Sequence, residues 1–396
     1  MTSGLPSRWP VLAAYALVAA ATQLLWLNYA GVSTAAAEHY GVSETAIGWL
    51  AQVFPLLYVV LAVPAGLVLD RWFRAGLAAG AALTAAGAVL RLAGDDFAWA
   101  LAGQTLIAVA QPLVLNAIIG VTGRYLAEPD RPAGIAVGTA STFAGMVVAF
   151  VLAAVFPAAG DLTVVTGVGA AFAVVAAAVL IIVLRGPMLY PHAAPPAGFG
   201  ALRLAWGDGF VRRLCLLVFL PFGTFIALTT FAQPLLEPAG VSGSTASVLL
   251  LVNVVAGVAG CAIVPVFAVR RRRELTMLVV GVTVAAAGCV VLAAAPGAVS
   301  GLAVLLLIGF LLLPTLPIVL ELTERRTGEV QGTAAGLIWL SGNLGGLIIA
   351  TVVGLLVDHP VAGFLVMGAV ALIAAPLVRL LRPYLSASGS NVTLQR

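Results

Sequence analysis

The chain contains no lysine: all 19 basic residues are arginine. It also has few acids (15), three histidines and three cysteines in 396 residues. Only 9% of the sequence is charged, against about a quarter in an ordinary soluble domain, so a soluble globule is excluded. Cys215, Cys261 and Cys289 are odd in number and all lie in apolar runs, which supports neither a disulfide framework nor a metal site. They read as packing residues. His39, His192 and His359 fall in three separate polar breaks, none at catalytic or metal-ligand spacing from a cysteine or acid. No enzyme, metal or cofactor is expected. The absence of lysine beside abundant alanine and glycine reads as genome composition.

What the chain does have is apolar length. Runs fall at roughly 11–35, 46–69, 75–94, 98–123, 133–158, 162–184, 212–236, 244–268, 275–295, 298–320, 330–357 and 361–381. Each is about 20 residues or more, enough for an α-helix to cross roughly 30 Å of hydrocarbon. The expectation is an all-α integral membrane protein of 12 spans, multi-pass in the cell membrane. An even number of spans puts both termini on one side. The arginines choose that side, because Arg71 and Arg74, Arg124 and Arg131, Arg270 to Arg273, Arg325 and Arg326, and Arg379 all fall on it. By the excess of positive charge in cytoplasmic loops, both termini are expected in the cytoplasm. The same clustering accounts for the net charge of +4 without a nucleic-acid partner. The expected partners are the bilayer and a small-molecule substrate, with the chain a monomer.

The longest polar break divides the spans six and six. Expected domains are an N-terminal bundle at 1–185, a linker at 186–211 with a short interfacial helix near Leu202–Trp206, a C-terminal bundle at 212–384, and a flexible cytoplasmic tail at 385–396. Gly134-Ile135-Ala136-Val137-Gly138 recurs as Gly332-Thr333-Ala334-Ala335-Gly336, an offset of 198, half the chain. Weak internal symmetry between two six-span halves is a transporter pattern with the substrate at the midplane. Within the spans, Trp26 and Tyr29 sit three apart and are expected on one helix face. Trp26, Tyr29, Phe222, Phe225 and Trp339, as aromatic faces, and Gln111, Asn116 and Asn343, as amides, are polar or aromatic positions at membrane depth and the expected substrate-binding residues. Such side chains face protein or a water-filled cavity. Aromatic faces hold a quaternary ammonium at about 0.5–2 kcal/mol each. Acids are scarce there: Glu321, beside Thr323 and Glu324, reads as a hydrated helix end. Arg91, near the outer end of span three, is expected to snorkel to Asp95 or Asp96.

Gly66, Asp70, Arg71 and Arg74 resemble the loop signature G-x-x-x-D-R-x-G-R of the major facilitator superfamily. Phe73 stands where that pattern has glycine, which calls for a tighter or re-angled turn. Trp26-Leu27-Asn28-Tyr29, Tyr40-Gly41-Val42 and Gly48-Trp49-Leu50 are similar to the feline leukaemia virus subgroup C receptor branch of that superfamily. The resemblance implies two pseudo-symmetric six-helix bundles and transport of choline or ethanolamine, with haem export also linked to that branch. It further implies Trp26 as the aromatic contact, Gln111 as the span-four amide, and Asn343 in place of a span-eleven glutamine. Gly66, Asp70, Arg71, Arg74 and Arg124 are the expected gating group, with Asp70 near Arg124 and Gln331. The function expected is alternating-access transport of a choline-like cation or amine, facilitative for want of a buried acid. The alternatives are a proton-antiporting multidrug or metabolite exporter, and a non-transporting receptor.

Overall fold

Length and apolarity drive the architecture. A computed structural model of the chain describes residues 6–156, 158–190, 199–327 and 330–381; the expected tail at 385–396 lies outside them. Among the described residues there is no strand, and 12 helical stretches are long and apolar enough to cross a membrane. The expected twelve-span helical fold is what the structure shows.

The chain falls into two units, the first reaching Leu202 and including Glu324–Leu340, the second taking Arg203–Thr323 and the chain from Ser341. The first unit holds α1 (Trp9–Leu27), α2 (Ser33–Tyr40), α3 (Glu44–Arg71), α4 (Phe73–Leu90), α5 (Phe97–Leu115), α6 (Ile118–Tyr125), α7 (Arg131–Val155) and α8 (Leu162–Leu184). In it α1 packs on α7 and α8, and α5 on α3 and α4. A short helix, α9 (Phe199–Gly207), follows. The second unit holds α10 (Gly209–Leu236), α11 (Gly243–Arg270), α12 (Glu274–Ala294), α13 (Ala298–Leu312), most of α14 (Thr315–Thr327) and α16 (Pro360–Arg379). Here α12 packs on α13 and α16, and α11 on α13. The eleventh span, α15 (Gln331–Gly354), begins in the first unit and ends in the second.

Helix starts follow local chemistry. Ser43 caps α3 by accepting the Ala46 N–H at 3.2 Å, and Asp208 caps α10 by accepting that of Phe210 at 2.8 Å. Gly41 ends α2 at φ +63°, a left-handed conformation that glycine adopts without penalty. The Val42 N–H then reaches back to Ala37 O at 3.1 Å, closing the α2 C-terminus. That closure is the physical content of the Tyr40-Gly41-Val42 motif.

Three expected spans are not continuous. The run at 11–35 stops as a helix at Leu27, and Asn28 and Tyr29 lie in a turn before Ala30–Val32 and α2. The run at 98–123 breaks at Asn116–Ala117, between α5 and α6, and the run at 298–320 breaks at Leu313–Pro314, between α13 and α14. At both of the latter the backbone switches to three-residue bonds, Ala117 N–H to Val114 O at 3.1 Å and Leu316 N–H to Leu313 O at 3.2 Å. Pro314 lacks the N–H a continuous helix would use. The two breaks recur at nearly the offset of the glycine repeat.

Candidate functional site

Asp70 ends α3 beside the glycine that makes its reach possible. The first turn of α15 has backbone N–H groups with no partner inside the helix. Asp70 supplies one: its carboxylate accepts from Gly332 N–H at 2.6 Å and Thr333 N–H at 2.9 Å, and from the Thr333 hydroxyl. A negative charge is also favoured at a helix N-terminus by its dipole, typically by 0.3–1 kcal/mol. The approach is close because Gly66 lacks a side chain: a Cβ there would lie 2.7 Å from Gly332 O and from the Thr333 Cα. Arg124 does not ion-pair directly with Asp70. Its Nη1 donates to Gln331 Oε1 at 3.1 Å, and its guanidinium lies 4.5 Å over the Phe73 ring. Burial pushes the Arg124 guanidinium below its usual pKa, and the Asp70 charge opposes that. Phe73 fits where the motif has glycine because Gly120 makes room: a Cβ on Gly120 would come within 2.3 Å of the ring. Arg74 donates to Gly186 O at 2.7 Å, whereas Arg71 is exposed. Next to this group Arg131 pairs with Glu324 at 2.8 Å, which sequence reading did not anticipate.

One layer along α3, Tyr58 donates to Asn116 Oδ1 at 2.6 Å, and Asn116 Nδ2 donates to Ala62 O at 2.8 Å. The Trp339 ring lies 6.3 Å from that of Tyr58. Asn116 and Trp339 are thus brought together through Tyr58, and the Asn116 amide is committed to protein. Tyr58 was missed because a tyrosine in an apolar run reads as core.

Trp26 and Tyr29 part company, since α1 stops between them. Trp26 donates its indole N–H to Ala51 O at 2.8 Å, tilts against Phe54 at 6.2 Å and is half-buried. Gln111 is buried on α5, as is Gln23 on α1, and among the described residues neither amide has a side-chain hydrogen bond. Tyr29 is 1% exposed, 6.3 Å from the Tyr40 ring, and has the Arg91 guanidinium 5.6 Å over its own. Arg91 therefore does not snorkel outward to Asp95 or Asp96. It is buried and donates to Asn28 and Gln104. Gln104 donates in turn to Leu25 O at 3.1 Å and Leu50 O at 3.2 Å, so it ties α1 and α3 together.

In the second unit, Phe222 and Phe225 of α10 stand 6.4 Å apart. They line a cavity of only about 10 Å³ with Thr315, room for about one water. Asn343 is half-buried on α15, one residue from Gly342, where a Cβ would lie 3.0 Å from the Phe222 ring. Glu321 is not a hydrated helix end: it is 1% exposed. Its α14 neighbours Leu316, Ile318, Val319, Leu320 and Leu322 are buried as well.

Twelve apolar helices, two units, and a carboxylate at the end of the second span define a membrane carrier of the facilitator type. The Major Facilitator Superfamily pattern matches residues 11–350, and the chain belongs to that family. The chain is similar to Solute carrier family 49 member A3 of Danio rerio, 25% identical over 364 residues, covering 85% of this chain and 76% of that protein. It is also similar to the choline/ethanolamine transporter FLVCR1 of Mus musculus, 29% identical over 160 residues. That alignment takes in 39% of this chain and 29% of the mouse protein, so it spans less than a third of that relative's length. Among solved structures, the transporter FucP in the outward conformation gives a TM-score of 0.76 at 18% identity, covering 94% of this chain and 99% of that one. The human organic anion transporter MFSD10 (TETRAN) also gives 0.76, at 16% identity, with 94% and 100% covered. At these identities the shared property is the fold.

Proposed function

We propose that this membrane transporter moves a choline-like cation or amine by alternating access, facilitatively. The observation that carries the reading is Trp26. Its indole is oriented by the Ala51 carbonyl and by Phe54, and the residue is half-buried rather than enclosed, which suits an aromatic contact for an ammonium group. Gln111, with Gln23 one turn before Trp26 on α1, supplies amides for a hydroxyl on the ligand. The naming of FLVCR1 as a choline/ethanolamine transporter supports the substrate class. Phe222, Phe225 and Asn343 are proposed as ligand-facing residues of the second unit, and Tyr29, Asn116 and Trp339 as packing within the first. Gly66, Asp70, Arg71, Arg74 and Arg124 are proposed to govern conformation.

The test is uptake of choline into proteoliposomes. Trp26→Ala should lower uptake about tenfold, the equivalent of roughly 1.4 kcal/mol of a cation–aromatic contact. Trp26→Phe should stay within about threefold of the unaltered protein. Equal loss in both variants would assign Trp26 to packing. A proton-antiporting exporter is the second reading, and the burial of Glu321 favours it.

A further inference from the structure

The turn between α11 and α12 is made of arginine. Arg270, Arg271, Arg272 and Arg273 run consecutively, and all four are exposed. The backbone closes the end of α11 with two bonds, Arg272 N–H to Val269 O at 3.1 Å and Arg273 N–H to Ala268 O at 2.8 Å. In a helix end closed by this pair of bonds, the residue at the position of Arg272 takes a left-handed conformation and is usually glycine. Arg272 adopts it at φ +52°. The chain closes two other ends with the same pair of bonds, after α2 and after Glu237–Ala239, and there the residue is Gly41 at φ +63° and Gly240 at φ +80°. Among the described residues Arg272 is the one non-glycine at positive φ. Glycine would remove that strain, so the arginine is held at a cost to the fold.

The protein itself makes no use of these guanidiniums. Among the described residues none of the four makes a side-chain hydrogen bond or an ion pair, and the acid that follows them, Glu274, is buried. Adjacent arginines elsewhere are engaged: Arg213 donates to Leu380 O, and Arg325 and Arg326 both have partners. An excess of positive charge on one side of a membrane accounts for arginine in this turn, but not for four unpaired ones with a strained member. The surface beside the turn says which anion fits. On α11, Ile263 is 57% and Phe267 45% exposed, and Arg270 and Arg271 follow Phe267 by three and four residues, on the same helix face. An uncovered apolar strip thus runs into unpaired guanidiniums, the layout that an acyl chain and its phosphate require. The parallel N–H groups of a guanidinium match two phosphate oxygens, and each arginine near an anionic bilayer surface strengthens binding about fivefold. We propose that the α11–α12 turn binds the headgroup of an anionic phospholipid. Its phosphate sits on Arg270 and Arg271, with Arg272 and Arg273 adding charge, and its acyl chain follows Phe267 and Ile263. The site lies wholly within the second unit and does not depend on the identity of the transported substrate.

The experiment is native mass spectrometry of the full chain in detergent, titrated with phosphatidylglycerol and, separately, with phosphatidylcholine. Phosphatidylglycerol should fill a first site about tenfold more tightly than phosphatidylcholine, or better. Arg270→Gln combined with Arg271→Gln should weaken that apparent Kd about twentyfold, two charges at about fivefold each. Arg203→Gln combined with Arg212→Gln removes two exposed arginines elsewhere in the same unit and should leave it within about twofold. Arg272→Gly separates charge from backbone strain: it should weaken phosphatidylglycerol binding severalfold while raising the Tm in phosphatidylcholine. Inorganic pyrophosphate at the concentration of the lipid should not displace it. Equal weakening in the two double variants, equal affinity for the two lipids, or unchanged binding in Arg272→Gly overturns the proposal and leaves the turn as general surface charge. Displacement by pyrophosphate overturns it as well, and assigns the turn to a soluble polyanion.

Discussion

Asp70 shows how one side chain can finish a helix that belongs to a distant part of the sequence. Its oxygens occupy the N–H groups of Gly332 and Thr333, which as the second and third residues of α15 are the donors a helix start leaves open. Removing the carboxylate exposes two buried donors at once and takes away the charge facing the helix end. Asp70→Ala should therefore cost about 2 kcal/mol in thermal unfolding, and Asp70→Asn about half of that, since one acceptor survives. Hydrogen exchange gives the more specific reading: the amides of Gly332 and Thr333 should lose protection in Asp70→Ala while those of α8 do not. Unchanged exchange at both would mean that α15 starts without help from α3. Phe73 makes the complementary point. It breaks the glycine of the loop motif, but Gly120 gives its ring space and Arg124 covers it, so the departure is absorbed by a residue 47 positions away.

Between α3 and α15 the contact is a pair of small-residue ridges. Ala62 and Gly66 meet Gly332 and Gly336, and Cβ atoms built on the two α15 glycines would lie 2.8 Å from Gly66 O and 2.6 Å from Ala62 O. Close backbone approach of this kind is how membrane helices gain packing without a hydrophobic drive. Gly336→Val should then force the helices apart and lower stability by about 1–3 kcal/mol, read as a drop in Tm, with Gly167→Val, which meets open space, as the control. An equal drop in both would remove the close-contact account. The repeat that contains Gly332 and Gly336 was legible in the sequence, as were the spans, because 20-residue apolar runs admit few other structures. Its partner ridge was half legible, Gly66 through the loop motif and Ala62 not at all. The helix breaks at Asn116 and Pro314 escaped notice, since a run of apolar residues reads the same across a three-residue turn. Arg91 was misplaced because snorkelling assumes a free path to water, and the glycines at 87 and 103 instead let α4 and α5 close over its stem. Tyr58 and Glu324 were unreadable for a related reason: each owes its role to a partner, Asn116 or Arg131, that no spacing rule connects to it.

At the scale of the whole molecule the open variables are orientation and driving force. The arginine asymmetry predicts that a single cysteine at Arg272 reacts with a membrane-impermeant label from the cytoplasmic side and one at Asp161 from the other side; the reverse pattern would invert the assignment. Driving force turns on the acids. Asp70 is held by α15 and Glu324 by Arg131; of the other two buried carboxylates among the described residues, Glu274 at the start of α12 is 6% exposed and Glu321 on α14 is 1% exposed, so Glu321 is the deepest acid and the one to test. In a facilitative carrier it stays a fixed part of that helix, and the gradient of the substrate does the work. A monovalent cation moved this way feels about 2.3 kcal/mol per 100 mV, enough for roughly fifty-fold accumulation inside a negative vesicle. Choline uptake should accordingly follow an imposed potential, ignore an imposed pH gradient, and persist within about twofold in Glu321→Gln. A proton-coupled exporter requires the opposite: accumulation driven by pH alone in the unaltered protein and abolished in Glu321→Gln, with exchange down the substrate's own gradient retained. That second pattern would replace facilitative transport with coupling through α14, while leaving the Trp26 test to decide the substrate.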